Sequence, residues 1–409
     1  MQSVYLYGLM FLGFALFFVR LNHVAEYVFV ALVVIWIAEK LYTRNFHWRS
    51  TFLDWPLLLF LTWIFVTGFF AVDPEYSFNE WRKTLPRFLI FWFVVQSITT
   101  ENQVRSVLFA SSLGLGVLSL IEVTYYFWIG GELLDFSLVW GSRAGDLTGS
   151  SQWLGTYLVL GFPIVFLGVW TGPVGKLRVA YIAICTVMLG AVLLVHTRAT
   201  WLAIGIECLV LGVLTLNRYW RVRVLILMAT LVLVLLPFGI AKLSFLTDLH
   251  VANPTTLQLR LNTWWFAIDR IVDQPILGLT GIGYGKHSFN TAYPNLGPGF
   301  HTHIHNMVIA RVVQLGLPGL VLFGWIFWVI LRWSYRGFKT FSHLFVGRLS
   351  LTILLGTVGL LVRNLFDDMF IGSVVYVFWL FIGLFWVTLS LHGMGIAAAM
   401  KRPELSEHQ

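Results

Sequence analysis

Residues 373–393 read SVVYVFWLFIGLFWVTLSLHG, 21 residues without one charged side chain. A bilayer hydrocarbon core about 30 Å thick takes roughly 20 apolar helical residues to cross, and this run has that length and that composition. Working outward from it, the same pattern recurs along the whole chain of 409 residues, which is 58% hydrophobic and 11% charged, with a mean hydropathy of +0.81. Twelve apolar runs bounded by charges, Pro or Gly are predicted as spans: 4–19, 24–42, 54–71, 85–99, 103–128, 153–171, 178–196, 200–217, 222–241, 304–332, 345–366 and 373–393. The expected fold class is an all-α integral membrane protein of about 12 transmembrane helices, with one long outer loop containing short helices. The 19 Trp, 35 Phe and 14 Tyr suit such a bundle, because aromatic rings collect at membrane interfaces.

The predicted organisation is nine spans in 1–241, the loop 242–303, three spans in 304–393 and a short tail, 394–409. The first run has no basic residue before it and no small-residue cleavage pattern, so it reads as a retained helix. Lys and Arg in short loops mark the cytoplasmic side. Lys40, Arg44, Arg49, Arg105, Lys176, Arg178, Arg218, Arg221, Arg223, Arg332, Arg336, Lys339, Arg348, Lys401 and Arg402 then fall inside together with both termini. The net charge of +8 is read as topology, with anionic lipid headgroups as its partner and no case for nucleic acid. Cys185 and Cys208 lie inside apolar runs and imply no disulfide framework.

Arginines on the outer side need another explanation. Arg20, Arg82 and Arg270 read as solvated surface. Arg198, in VHTRATW, sits where one apolar run ends and the next begins; its guanidinium either snorkels or grips a planar multi-oxygen anion. Arg87, Arg143, Arg260, Arg311 and Arg363 also sit against the rule. In TTLQLRLNTWWFAIDRIVDQP, Arg260, Trp264, Ala267 and Ile271 recur at helical spacing, one stripe of an amphipathic helix that stops before Pro275. The following GLTGIGYG reads as a compact glycine loop. A dinucleotide site would need a strand before it and a helix after it.

That loop leads into GFHTHIHNMVIA at 299–310, with His301, His303 and His305 at every second position. An extended segment would put all three on one side, whereas a helix would align only His301 and His305. Three chemistries fit: zinc ligation, solvation of a helix mouth, or general base catalysis at a desolvated boundary. No Cys is near the three, and no acidic residue stands between Asp273 and them. LGLPGL should interrupt the run 304–332, leaving a short first helix whose Arg311 and Gln314 face a cavity instead of lipid. In RNLFDD, Arg363 precedes Asp367 by four residues, which fits either a helix ion pair or, with Asp368, acceptor binding.

RATWLA at 198–203, R-x-x-x-W-x-x-A at 260–267, P-x-x-G-x-x-G-x-G from Pro275, and HN followed by QLGLPGL at 305–320 resemble the O-antigen ligase family. The resemblance is carried by residues 195–320, and the first five spans match in hydropathy alone. It implies a glycosyltransferase of the bacterial inner membrane. Such an enzyme moves a glycan from an undecaprenyl pyrophosphate carrier to a hydroxyl of the lipid A-core oligosaccharide on the periplasmic face. It also implies a direct, inverting displacement with no metal and no cofactor. His305 is then the expected base, with His303 as a second or alternate one. Arg198 and Arg260, with Arg143 as a third donor, clamp the pyrophosphate. Asn306 is expected to orient the ring or a sugar hydroxyl, and His301, Arg311, Arg363, Asp367 and Asp368 to support the site or the acceptor. Polymerases of lipid-linked glycans and protein O-oligosaccharyltransferases share this half of the chain. A solute transporter is the other class, disfavoured because the sequence shows no internal repeat with paired broken helices.

Overall fold

The run that opens the sequence reading becomes the most enclosed helix of the protein. In a computed structural model, which describes residues 1–44, 48–128, 150–172, 175–217, 256–297 and 299–393, every residue from Ser373 to Leu389 is buried. A helix that is apolar all round belongs inside a large core or a membrane, and here neighbouring helices wrap it. Gly383 lets it approach Val94 and Phe91 closely, while Trp379 packs against Phe88 and Phe91, ring centroids 5.0 and 5.9 Å away.

The described residues form helices and contain no strand. The helices are α1 (Gln2–Ala15), α2 (Asn22–Thr43), α3 (Asp54–Gly68), α4 (Pro74–Ser97), α5 (Glu101–Trp128), α6 (Ser151–Thr171), α7 (Lys176–Leu194) and α8 (Arg198–Thr215). They continue as α9 (Thr256–Asp273), α10 (Pro275–Thr280), α11 (Ser288–Ala292), α12 (Met307–Thr340), α13 (Phe345–Asn364) and α14 (Gly372–Leu391). Seven of these, α5 to α8 and α12 to α14, are long and apolar enough to cross a membrane, and α1 and α3 are shorter apolar helices. The chain is a multi-pass membrane protein. The expected span 222–241, the start of the outer loop at 242–255, Arg143 and the tail 394–409 lie outside the described residues.

Helix ends gather into two sets. At one end, the Tyr157 hydroxyl meets the Leu16 carbonyl and the Ser373 hydroxyl, Asn22 donates to Ser373, and Arg363 of α13 reaches the Gln152 carbonyl of α6. At the other, Trp92 donates to Asp54, Arg49 to the carbonyls of Val95 and Ile98, and Arg348 to Trp170. Basic side chains assigned to the inner loops, such as Arg49, Arg105 and Arg348, cluster at this second end.

The expected span 85–99 is corrected: α4 begins at Pro74. Asp73 caps it by accepting from the Tyr76 amide, and Pro74 supplies the fixed φ of a first helical turn. The first turns of α4 carry Glu75, Glu80, Arg82, Lys83 and Arg87, which hide the helix from a hydropathy reading. The glycine stretch is corrected in part. Gly278 lies within α10, and the irregular backbone starts at Gly281, where Gly281, Gly283 and Gly285 all take positive φ.

The predicted break in the run 304–332 is present. Gly316 has φ 69° and ψ −179°, which divides α12 into a short first part and a long second part. Such a break strands carbonyls, and each stranded carbonyl needs a donor. Ile282 N–H reaches the Val313 carbonyl at 2.8 Å, Gly283 N–H reaches Gln314 at 3.2 Å, and the Trp63 indole reaches Leu315 at 2.8 Å. The two glycine turns interlock: a Cβ on Gly281 would overlap the Gln314 peptide, and one on Gly316 the Leu279 carbonyl. This contact is the physical content of the two spaced-glycine motifs. It fixes the first part of α12, and therefore Arg311 and Gln314, against the outer loop.

Candidate active site

The histidine segment is neither extended nor helical. Residues 301–306 form an irregular bend, and His305 takes a left-handed conformation (φ 49°) that costs a non-glycine residue about 1 kcal/mol. The bend draws all three imidazoles together, with ring centroids 4.6 Å apart for His301 and His305 and 3.8 Å for His303 and His305. Two anchors hold it. The Trp264 indole donates to the Ile304 carbonyl, and the His301 amide donates to the Thr263 hydroxyl. Both anchors come from α9, whose apolar stripe is as expected: Ala267 is buried, with Trp264 and Ile271 packed beside it.

Asn306 does not orient the ring. Its side chain accepts from the Ile309 amide as the N-cap of α12 and donates to the Leu365 carbonyl at 2.9 Å. It therefore ties the start of α12 to the segment after α13, and that segment supplies the partner of His305. His305 Nδ1 lies 2.9 Å from Asp367 Oδ1, and both residues are buried. Burial alone would push the Asp367 carboxyl up. The hydrogen bond from His305 and the Arg363 charge outweigh it and hold the group down at about 2. An ionised carboxylate only accepts, so Nδ1 carries a proton toward Asp367, and Nε2 is the ring nitrogen not engaged by that pair.

Arg363 completes the row, 3.7 Å from Asp367 Oδ2. The expected intrahelical pair is thus an ion pair across a helix end, since α13 stops at Asn364 and Asp367 lies beyond it. Arg363 is 1% exposed, buried against that carboxylate. Asp367 also accepts from the Asp368 amide at 3.0 Å.

Asp368 turns the other way and meets Arg311 at 3.0 Å. Arg311 also donates to Gln314, whose amide donates to the Gly285 carbonyl at 3.0 Å. Burial raises the Asp368 carboxyl against the pull of Arg311. Arg311, Gln314 and Asp368 together form one wall of a cavity of about 400 Å³, the cavity-facing position expected for the first two. Its remaining wall includes Lys83 and Arg87 of α4, Lys286 and His287 of the glycine loop, and the rings of Tyr76, Trp153 and Tyr284. Lys83 is paired with Glu80. Arg87 and Lys286 make no hydrogen bond or ion pair among the described residues, which leaves two cations for an anion in the cavity. The loop is strapped to α4 by Tyr284 N–H to Ser77, His287 N–H to Tyr76 and Val72 N–H to the Ile282 carbonyl.

The expected clamp residues take different positions. Arg260 Nη1 donates to the Phe366 carbonyl at 2.8 Å, next to Asp367. Arg198 is exposed at the first position of α8, without a hydrogen bond or ion pair among the described residues. The contact of Gly155 with Thr197 and Thr200 seats that start on α6, at the end of the bundle where Arg363 meets Gln152. Arg82 and Arg270 bond only to neighbours on their own helices, in keeping with solvated surface.

His303 is a poor candidate base. Burial first, with the neighbouring His305 and Lys286 adding to it, pushes its imidazole down to about 3. A general base works best with a pKa near the operating pH. His303 stays neutral and weakly basic, its ring packed against that of His305.

The chain was compared with known proteins. Residues 183–324 match a family model described as O-antigen ligase. The matched segment holds Arg198, Arg260, the three histidines, Asn306 and Arg311; it excludes Arg87, Arg363, Asp367 and Asp368. No curated protein matches the chain.

Proposed function

We propose, from the match of residues 183–324 to a family model described as O-antigen ligase, that the protein is an O-antigen ligase. Its donor is a glycan on undecaprenyl pyrophosphate and its acceptor a hydroxyl of the lipid A-core oligosaccharide. The observation that carries this reading is the buried row Arg363, Asp367, His305, which leaves one imidazole nitrogen free as a base. The acceptor hydroxyl oxygen bonds to the anomeric carbon as the bond from that carbon to pyrophosphate breaks. The hydroxyl proton passes to His305 Nε2, and the pyrophosphate leaves with the bonding electrons. A single displacement inverts the anomeric centre.

Charge grows on the departing phosphate, where fixed cations lower the barrier. Arg260 and Arg198 are the proposed clamp, with Arg143 a third donor, and the unpaired Arg87 and Lys286 extend the cationic surface. The step needs no metal: the base is neutral imidazole and the leaving group is met by guanidinium. Arg260→Lys keeps the charge but loses the planar fork. Transfer should fall on the order of a hundredfold, the effect of about 3 kcal/mol at the transition state, with folding unchanged. Near-normal transfer removes Arg260 from the clamp.

The cluster of basic side chains at the opposite end supports a topology with the His305 end facing the periplasm. A cysteine introduced near residue 290 should react with an impermeant thiol reagent in intact cells, and one near 340 should not; the reverse pattern inverts the topology. Ligase is preferred to polymerase for the compact size and single dominant outer loop. Disrupting the gene should leave carrier-linked polymer that never reaches its acceptor, whereas accumulation of single repeat units would make the protein a polymerase.

A further inference from the structure

At the opposite end of the bundle a second cavity, of about 210 Å³, lies between α5, α6, α7 and α13. Leu108, Phe109, Ile164, Leu167, Leu177 and Phe345 make its apolar wall. Two polar groups in that wall stand out. Tyr181 is 7% exposed, and its hydroxyl makes no hydrogen bond among the described residues. A phenol hydroxyl on a cavity wall is a donor open to a ligand. Its ring is built into place: Gly168 leaves the space it occupies, and Phe109 packs edge-on with centroids 5.5 Å apart. The second group is Arg105, whose guanidinium stacks 3.7 Å from the Phe345 ring. It pairs with Glu101 through Nε and Nη2, at 2.9 and 2.6 Å, so Nη1 remains a donor.

We infer that this cleft binds a membrane glycerophospholipid, with the phosphate on the Tyr181 hydroxyl and Arg105 Nη1 and an acyl chain along the apolar wall. A phosphate oxygen is the acceptor both donors lack, and a chain end is what an apolar slot beside a bilayer accommodates. Charge at this end favours an anionic headgroup. Lys176 and Arg178 begin α7, and Arg348 lies 4.9 Å over the Trp170 ring beside the cavity, while Glu101 is already neutralised by Arg105. A basic surface attracts anionic lipids. The site is separate from the glycan-transfer site, so its test stands independently of that reading.

Native mass spectrometry of the full chain released from detergent, with phosphatidylglycerol or diacylglycerol of the same acyl chains added, reads the site directly. The wild type should retain one phosphatidylglycerol well above diacylglycerol. Tyr181→Phe removes one oxygen and keeps the packing. Loss of a hydrogen bond to a charged group should weaken phosphatidylglycerol retention about tenfold and leave diacylglycerol unchanged. Arg105→Gln should act in the same direction. Equal retention of phosphatidylglycerol by the wild type and both variants overturns the site, as does retention of diacylglycerol equal to that of phosphatidylglycerol.

Discussion

His305→Ala should abolish transfer while the donor stays bound. General base catalysis is worth about a hundredfold to ten thousandfold, and that contribution goes with the imidazole. His303 lies against the same ring, but its imidazole is held down at about 3. The donor is held by other groups, so retention of radiolabelled lipid-linked glycan should match the wild type and the loss should fall on kcat. His303→Ala removes a ring packed against His305 and should have the smaller effect. If His303→Ala loses transfer and His305→Ala does not, the base moves two residues upstream and the Asp367 pairing has another purpose.

Asp367→Asn should lower kcat on the order of a hundredfold or more, at an unchanged KM for the donor. Asp367 is a positioning residue: it meets the imidazole and has no contact with the reacting atoms. An amide in its place can present its NH2 group to Nδ1, which moves the ring proton to Nε2 and removes the base. Asp367→Glu keeps a carboxylate and should restore part of the rate, a rescue that a purely structural role would not produce. The pH dependence has a definite sign. The folded protein holds Asp367 at about 2, below the value near 3.9 expected in an unfolded chain. Ionisation therefore contributes stability that is complete above about pH 4 and is lost as pH falls toward 2. In Asp367→Asn that part of the acid sensitivity should vanish, as measured by the apparent melting temperature in detergent between pH 5 and pH 3.

The membrane helices were legible because bilayer thickness and apolar composition constrain them directly. α14 reads as a membrane segment at first sight, although the sequence does not reveal that other helices enclose it. α4 shows the limit of hydropathy. Its charged first turns are part of a cavity wall, so they look like a loop by composition, while the Asp73–Pro74 cap marks the helix start. Arg87 carried a second signal, an arginine on the side where the charge rule does not want one. Around the site, the apolar stripe of α9 and the break at Gly316 were legible from local pattern. The role of Asp367 was not, since its partner lies 62 residues away and only the fold joins them. The same holds for Lys286 and Arg87, which meet across the cavity from distant parts of the chain. Alternation of the histidines was a misleading cue. The positive φ at His305 breaks both regular readings and brings the rings together by another route.

The role proposed for His305 is to take the acceptor proton in a metal-independent glycan transfer. The most direct test is transfer by the purified protein, using glycan-loaded undecaprenyl pyrophosphate and lipid A-core acceptor after exhaustive chelation. The wild type should form product under chelation with inverted anomeric configuration, and His305→Ala should form none while retaining donor. Normal product from His305→Ala, or activity that chelation abolishes and zinc restores, would contradict the account.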